Sequence, residues 1–232
     1  MSFRGKKYLS AKEKVGTATS LSLNDALQKV GSLAFAKFDE TISADFVLGI
    51  DATKGDQVVR GSVLLPNGTG KRAVVVAFVK GDNEDIAKKA GADFVGCDDL
   101  IEKILGGWTD FDYAVATPDV MAGLSRVAKV LGPKGLLPNK KTGTVTFEIA
   151  PIIADLKKGR ISFRNDKGGG LHVGFGRLSF GAEKLRDNFL ALVKAVVKSK
   201  PAASRGSFVR KIVISSTQGL GLRLSLDESY YI

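Results

Sequence analysis

The chain has 232 residues, 44% of them hydrophobic, and a formal net charge of +11. This size suffices for one large domain or two small ones, and the excess of Lys and Arg favours an anionic partner, either nucleic acid or, less commonly, a membrane surface. With one cysteine, Cys97, and one histidine, His172, the chain can form no internal disulfide and offers little support for a histidine metal site or a Ser-His-Asp triad.

Hydropathy favours a cytoplasmic protein. No apolar run reaches the length of a bilayer span, and residues 1–7 lack the apolar core of a signal peptide. We interpret Cys97 as a core or near-surface thiol of a reducing compartment rather than as a nucleophile. His172 follows three glycines in a short apolar alternation, which favours a place on the surface of a strand.

The first part of the chain predicts helices and half-buried strands. Residues 1–20 are basic, and the first few are expected to lack fixed structure. Ser22 precedes an apolar stripe at helical spacing and is the predicted N-cap of a helix over 23–33. After a connector, alternating apolar residues over 42–50 predict a strand with one buried face, and a second strand is predicted over 58–65.

The pattern changes between residues 67 and 158. The continuous apolar run 73–79 is typical of a strand covered on both faces. Further strands are predicted over 93–95 and 111–116, with helices over 83–90, 98–105 and 149–158 and one that begins at Pro118 and extends to Leu131. Strands that alternate with short helices indicate a small parallel sheet in a Rossmann-like, three-layer α/β domain.

Half-exposed strands return after Gly159, over 160–164, 171–175, 208–215 and 222–226, with one amphipathic helix through Leu185 and Val196. The economical fold is therefore of the α/β class: an outer α+β domain from residues 1–66 and 159–232, with a Rossmann-like domain, 67–158, inserted in it. The two chain crossings predict a hinge at Pro66, Gly68 and Gly159.

Charge is unevenly divided between these domains. The net charges are +2 for residues 1–66, +1 for 67–158 and +8 for 159–232, so the outer domain carries +10. We expect the outer domain to contain the main binding site for an anionic polymer.

The loop from Leu131 to Val145 contains two prolines and three glycines, and no carboxylate neutralises its lysines. Such a loop brings cations and free N–H groups together, which suits a phosphate. The alternative is a solvated turn between a helix and a strand. The cations in question are Lys134, Lys140 and Lys141.

Nucleotide motifs are incomplete. Near Gly70, Leu65 stands where a phosphate-binding loop needs its first glycine, and Arg72 follows Lys71 where Ser or Thr should bind a metal. The pairs at Gly174 and Gly219 lack the third glycine of a dinucleotide fingerprint. We therefore expect neither a cofactor nor an enzyme.

Three segments of the outer domain predict contact with RNA. Each combines groups that can stack on bases, bond to the 2′-hydroxyl or neutralise phosphate, although each alone would also fit an ordinary polar turn. They are the connector with Lys37, Phe38 and Thr41, the turn 164–170 with Arg164 and Lys167, and the strand end 215–219 with Ser216, Thr217, Gln218 and Gly219.

Taken in order, several segments resemble the bacterial-type large-subunit ribosomal protein L-one family. The resemblance covers nearly the whole chain, and it is most specific in the loop and in the run from Arg60 to Lys71. The segments are 36–41, 48–51, 60–71, 114–119, 131–145, 159–167 and the part from Lys200 onward.

The resemblance implies the split two-domain fold and a structural constituent of the large ribosomal subunit. It implies binding of large-subunit rRNA to form a mobile stalk at the tRNA exit site, assistance in the release of deacylated tRNA, and repression of translation of the protein's own mRNA. The implied partners are large-subunit rRNA, the leader of its own mRNA, exit-site tRNA and the ribosomal particle, with no membrane. The protein is expected to be a monomer when free.

By motif, Lys37, Phe38 and Thr41 match the family's first RNA-contact segment, and residues 216–219 match its Ser-Thr-Met-Gly-Pro segment. Here Gln218 replaces the Met and Leu220 the Pro, so an amide hydrogen bond could replace an apolar contact. The loop lysines are expected to form a secondary contact with RNA or tRNA.

The alternatives belong to two other classes of protein. An RNA-modifying enzyme would need a cofactor motif or a catalytic cluster, and the sequence contains neither. A free-standing messenger regulator would need no docking surface on a large particle, and cosedimentation with ribosomal subunits would distinguish it.

Overall fold

The computed structural model describes residues 5–16, 20–81, 83–204 and 206–226, apart from the side chain of Lys141. The first four residues, part of the segment expected to lack fixed structure, lie outside these ranges. The chain forms two compact units: an outer unit of Met1–Gly70 and Ser162–Ile232, and an inserted unit of Lys71–Ile161. Both divisions fall slightly later in the chain than 66/67 and 158/159, where the sequence places them.

Helices and strands are numbered in chain order. The α-helices are α1 Lys6–Val15, α2 Leu23–Leu33, α3 Asn83–Lys89, α4 Asp98–Leu105, α5 Met121–Leu124, α6 Ala128–Lys134, α7 Ile149–Lys158 and α8 Gly181–Lys198. The strands are β1 Thr41–Leu48, β2 Arg60–Leu64, β3 Val75–Phe78, β4 Phe94–Gly96, β5 Tyr113–Ala116, β6 Arg160–Arg164, β7 Gly170–Arg177, β8 Val209–Ser216 and β9 Leu222–Arg223. This mixture confirms the α/β class.

The outer unit is built on a four-stranded sheet in the order β7-β1-β8-β9, in which β1 runs antiparallel to both β7 and β8. Alternate residues of β1, such as Ile42 and Phe46, are buried, while Thr41 and Val47 are exposed, as a strand with one covered face requires. Helices α2 and α8 pack on this sheet. The Ser22 side chain accepts a hydrogen bond from the Asp25 N–H, which confirms the predicted N-cap.

The inserted unit has a parallel sheet in the order β4-β3-β5 with helices on both faces. All four residues of β3 are buried. Val76 and Phe78 pack in one core with α4 and α6, while Val75 and Ala77 pack in another with α7. These two cores confirm that the apolar run forms a strand covered on both faces, as in a three-layer domain.

The prediction of an irregular loop from Leu131 onward was wrong at its start. Leu131 is fully buried in the core of the inserted unit, so α6 continues past it and contains Pro133. Gly135 ends the helix in the left-handed conformation, with φ 72°. The final strand is also shorter than predicted, because β9 ends at Arg223.

Helix α1 was not predicted, because its sequence has no apolar stripe and only Ala11 is buried. Among the residues described, no helix is both long and apolar enough to cross a bilayer.

Candidate RNA interface

Two of the three predicted RNA segments meet at one edge of the outer sheet. Ile42, near the start of β1, pairs with Ser216, at the end of β8. Beyond this pair the Thr217 hydroxyl continues the ladder: it accepts a hydrogen bond from the Thr41 N–H at 3.1 Å and donates one to the Thr41 carbonyl at 3.2 Å. The connector before β1 and the turn after β8 are thereby held side by side.

The carboxylate of Glu40 joins the same two segments from inside. Glu40 is 0% exposed, and it accepts hydrogen bonds from the N–H groups of Ala36 at 3.0 Å and Gln218 at 3.2 Å. Burial alone would raise the pKa of Glu40, but hydrogen bonds from the Ser216 hydroxyl and from the N–H groups of Gln218, Ala36 and Phe35 outweigh it, so the pKa lies below its ordinary value. Glu40 is therefore charged, and its carboxylate links the connector before β1 to the turn after β8.

Sequence reasoning missed Glu40. The sequence did contain a signal, because Glu40 is an acidic residue in a segment predicted to bind an anion. A carboxylate would oppose anion binding there unless it were buried and its oxygens accepted hydrogen bonds from the protein.

Glycine is required at position 219 because of a close approach. A Cβ atom there would lie 2.2 Å from the Ser216 Oγ, and the Gly219 N–H donates to the Ser216 carbonyl at 3.0 Å. Ser216 itself is only 5% exposed. The structure thus places Ser216 and its hydroxyl inside the edge, bonded to Glu40, rather than on its surface.

Asp39 fixes the connector on its other side. Its carboxylate accepts hydrogen bonds from the Ser179 N–H at 3.1 Å and hydroxyl at 2.8 Å, and it lies 3.8 Å from the guanidinium of Arg177. With Asp39 and Glu40 both anchored, the connector presents Lys37 and Phe38 outward. Phe38 is 53% exposed.

Five exposed side chains lie on these two joined segments. We call them the Phe38 edge: Lys37, Phe38, Thr41, Thr217 and Gln218. The group contains one cation, one ring, two hydroxyls and one amide.

The third predicted segment lies at the other end of the sheet. Thr41 pairs with Arg177, but Val47 pairs with Gly170, next to the turn that carries Arg164 and Lys167. Six residues of strand separate the two ends, which corresponds to about 20 Å. The structure therefore does not bring Arg164 and Lys167, both exposed, into the Phe38 edge.

Carboxylates organise the region around that turn. Asp166 accepts hydrogen bonds from the N–H groups of Gly170 and Gly168, and these bonds, together with the nearby His172 ring, hold the pKa of Asp166 below its ordinary value despite partial desolvation. His172 lies exposed on β7, as predicted, with Nδ1 2.8 Å from Asp45. The hydrogen bond with Asp45, and the charges of Asp45 and Asp166, raise the pKa of His172 against the opposing effect of burial.

The predicted basic loop belongs to the inserted unit and is well braced. The Asn139 N–H donates to the Thr144 hydroxyl at 2.8 Å, and the Ala116 N–H of β5 donates to the Thr144 carbonyl at 3.0 Å. Lys134 and Lys140 are both exposed, and Lys134 donates a hydrogen bond to the Thr109 hydroxyl. The side chain of Lys141 lies outside the described residues.

Two of the predicted hinge residues, Pro66 and Gly68, lie within the outer unit. The buried Asn188 of α8 accepts a hydrogen bond from the Asn67 N–H at 3.0 Å and donates to the Gly68 carbonyl at 2.9 Å. Gly159 caps α7 in the inserted unit, with φ 111°. Asn188 was missed, although a single amide in the apolar stripe of α8 is a usable signal of a buried polar anchor.

The fold defines a class: a mixed α/β protein in which a three-layer parallel unit interrupts an antiparallel α+β unit with a polar, ring-bearing strand edge. Comparison with known sequences gives the family. The chain belongs to the Ribosomal protein L1p/L10e family, whose sequence model matches residues 30–220. The match spans both segments of the Phe38 edge and confirms the resemblance found in the motifs.

Individual relatives match this chain over almost their full length. The chain is 50% identical over 220 residues to the large ribosomal subunit protein uL1 of Bdellovibrio bacteriovorus, covering 95% of this chain and 94% of the relative. It is 48% identical over 223 residues to the protein of that name from Limosilactobacillus reuteri, with coverages of 96% and 97%. For Desulfosudis oleivorans the identity is 48% over 224 residues, with coverages of 97% and 96%.

Proposed function

We propose that this chain is a structural, non-enzymatic constituent of the cytoplasmic large ribosomal subunit, and that its outer unit binds large-subunit rRNA at the Phe38 edge. The relatives carry the name of a large ribosomal subunit protein. The observation that carries the assignment of the site is the exposed Phe38 ring on a connector that Glu40 and Thr217 join to the turn after β8.

The edge has the groups that RNA recognition needs. Phe38 can stack on an unpaired base, and Lys37 can neutralise a phosphate. The Thr217 hydroxyl uses its proton and one lone pair on the Thr41 backbone, which leaves one lone pair to accept from a 2′-hydroxyl. Gln218 supplies an amide where the motif that the chain resembles has an apolar Met. Because the backbone is fixed before binding, little ordering entropy is lost.

The remaining parts of the function follow from the resemblance. We propose that the bound protein forms a mobile stalk at the tRNA exit site and assists the release of deacylated tRNA. Lys140, with Lys134 and Lys141, would contact RNA or tRNA backbone secondarily, while Arg164 and Lys167 would extend the rRNA contact along the outer unit. We further propose that the free monomer represses translation of its own mRNA by binding the leader.

The test compares two exposed phenylalanines. Phe38→Ala should weaken binding to a large-subunit rRNA fragment by roughly 5- to 150-fold, because stacking contributes about 1–3 kcal/mol per base. Phe147→Ala is the control, since Phe147 is 66% exposed in the inserted unit. Equilibrium binding at one fixed salt concentration decides the question. Wild-type affinity in Phe38→Ala, or an equal loss in Phe147→Ala, would rule out the proposed site.

A further inference from the structure

Helix α1 carries an excess of positive charge that the fold of the outer unit does not use. It contains four exposed lysines and one acidic residue, Glu13. Within the described residues none of these lysines takes part in an ion pair. They are Lys6, Lys7, Lys12 and Lys14.

Two of these four lysines are placed unfavourably for the helix itself. Lys6 and Lys7 lie in the first turn, where the helix macrodipole disfavours cations, and no acidic side chain in that turn compensates them. The N-cap is Gly5, which has no side chain to accept a hydrogen bond from the first turn. A ten-residue helix is marginal alone, and α1 buries only Ala11. Lys12 and Lys14 lie in the last turn, where the macrodipole favours cations, so the charge that the helix itself does not favour is that of Lys6 and Lys7.

The packing of α1 in the outer unit relates it to the Phe38 edge through α2. Helix α1 packs against α2, and α2 ends at Leu33, where the connector to Lys37 and Phe38 begins. Helix α2 is about 16 Å long, so the whole of it lies within that distance of the connector. An RNA helix bound at the Phe38 edge can thus extend to α1.

The geometry of the helix fits a phosphate backbone. Lys7 and Lys14 lie two turns apart on the same flank, separated by about 10 Å along the axis. Two flexible ammonium groups at that spacing can contact phosphates of one strand, and such contacts depend on charge rather than base sequence.

We propose that α1 is a second, sequence-independent RNA contact, in which its lysines bind phosphates of the same RNA that meets the Phe38 edge. This inference rests on the proposed rRNA-binding function and adds to it an element outside the predicted contact segments. RNA binding would also order the helix, because phosphates neutralise the lysines that the macrodipole disfavours.

The experiment measures the salt dependence of binding to a large-subunit rRNA fragment with the full chain. The test variant is Lys7→Gln/Lys14→Gln, since Gln preserves helix propensity. The control is Lys88→Gln/Lys89→Gln on α3, which removes the same charge from the inserted unit. If each lysine neutralises one phosphate, the slope of log K against log salt should become shallower by roughly 1.4–1.8 in the test variant only. Lys7→Arg/Lys14→Arg should restore the wild-type slope.

Hydrogen exchange gives an independent readout: amides of α1 should gain protection when the RNA is added. A wild-type slope in the test variant, or an equal change in the control, overturns the inference while leaving the proposed function intact. Loss of binding to phosphatidylserine vesicles in the test variant, with an unchanged RNA slope, overturns it in favour of a membrane contact. If the wild type binds no rRNA, the proposed function is overturned and this inference with it.

Discussion

The Glu40 carboxylate accepts the Gln218 N–H at 3.2 Å across a separation of 178 residues in the chain. This contact joins the two halves of the Phe38 edge, and the fixed position of Phe38 depends on it. Because Glu40 is buried, its hydrogen-bond donors have no water to replace the carboxylate.

Glu40→Gln should therefore lower the free energy of unfolding by roughly 1–3 kcal/mol, since a neutral amide oxygen accepts these hydrogen bonds less strongly and its NH₂ group faces other donors. Urea unfolding at neutral pH measures the loss, and Asp187→Asn on the exposed face of α8 is the matched control. An equal loss in both variants would contradict the role of Glu40.

The same group predicts a pH dependence. The pKa of Glu40 is lowered in the folded state from 4.5. Its contribution to stability is thus fully present above that value and is lost as the pH falls through the lower folded value. The variant Glu40→Gln lacks this carboxyl and so should not lose the corresponding stability in acid. The difference in the free energy of unfolding between wild type and variant should therefore narrow below pH 4.5. Urea unfolding of both proteins over a pH series measures the gap, and a constant gap would contradict the prediction.

Gly219→Ala should disturb the turn after β8, because the new Cβ would lie 2.2 Å from the Ser216 Oγ. We expect a loss of about 1–3 kcal/mol in the free energy of unfolding and weaker RNA binding. In Ser216→Ala/Gly219→Ala the nearest remaining atom would be the Cβ of residue 216, 3.4 Å away. The double variant should therefore lose less stability than the sum of the two single variants.

Gly132→Ala is the control for this clash, since no atom outside its own helix lies within 4 Å of the position that the new Cβ would occupy. Urea unfolding of the four variants measures the losses. Additive losses at positions 216 and 219 would exclude the clash as their cause.

Features that depend on neighbouring residues in the chain could be predicted from the sequence, whereas features that depend on distant residues could not. Alternation in β1 and the apolar run at β3 are local patterns, and both elements formed as predicted. Glu40 and Asn188 act through partners more than one hundred residues away, so no periodicity reveals them. The separation of roughly 20 Å along β1 between the Phe38 edge and the turn that carries Lys167 is likewise set by strand pairing, which single segments do not encode.

The loop of the inserted unit should affect RNA binding mainly through charge. Lys140→Ala should make the salt dependence shallower by roughly 0.9 if Lys140 contacts one phosphate of a duplex, and the preference for RNA sequence should stay unchanged. Lys134→Ala should have the smaller effect, because Lys134 is bonded to Thr109. Binding titrations over a series of salt concentrations with matched and scrambled RNAs measure both quantities. A change in sequence preference would show that the loop reads bases.

One surface should serve both rRNA and the protein's own mRNA. Within the described residues, the Phe38 edge is the group of the outer unit that combines an exposed ring with hydroxyls and a cation. A repressor that senses free protein needs the two RNAs to compete, and a shared surface provides competition without a conformational signal.

Two threonine variants separate contact with RNA from support of the fold. The Thr217 hydroxyl bonds to the Thr41 backbone, so Thr217→Val should reduce both stability and RNA affinity. The Thr41 side chain is exposed, and Thr41→Val should leave stability unchanged while removing a hydroxyl available to RNA. If that hydroxyl is buried against RNA, the affinity should fall by roughly 5- to 150-fold, equivalent to about 1–3 kcal/mol.

The decisive measurement is the affinity of wild type and Thr41→Val for each RNA at one fixed salt concentration, with a competition titration between the two RNAs. Because both RNAs would place a group against the same hydroxyl, the loss should be of similar size for both, and each RNA should displace the other completely. Unfolding experiments on Thr41→Val show whether the fold is intact. A loss confined to one RNA, or a complex that holds both RNAs at once, would require two separate sites and would exclude repression by simple competition.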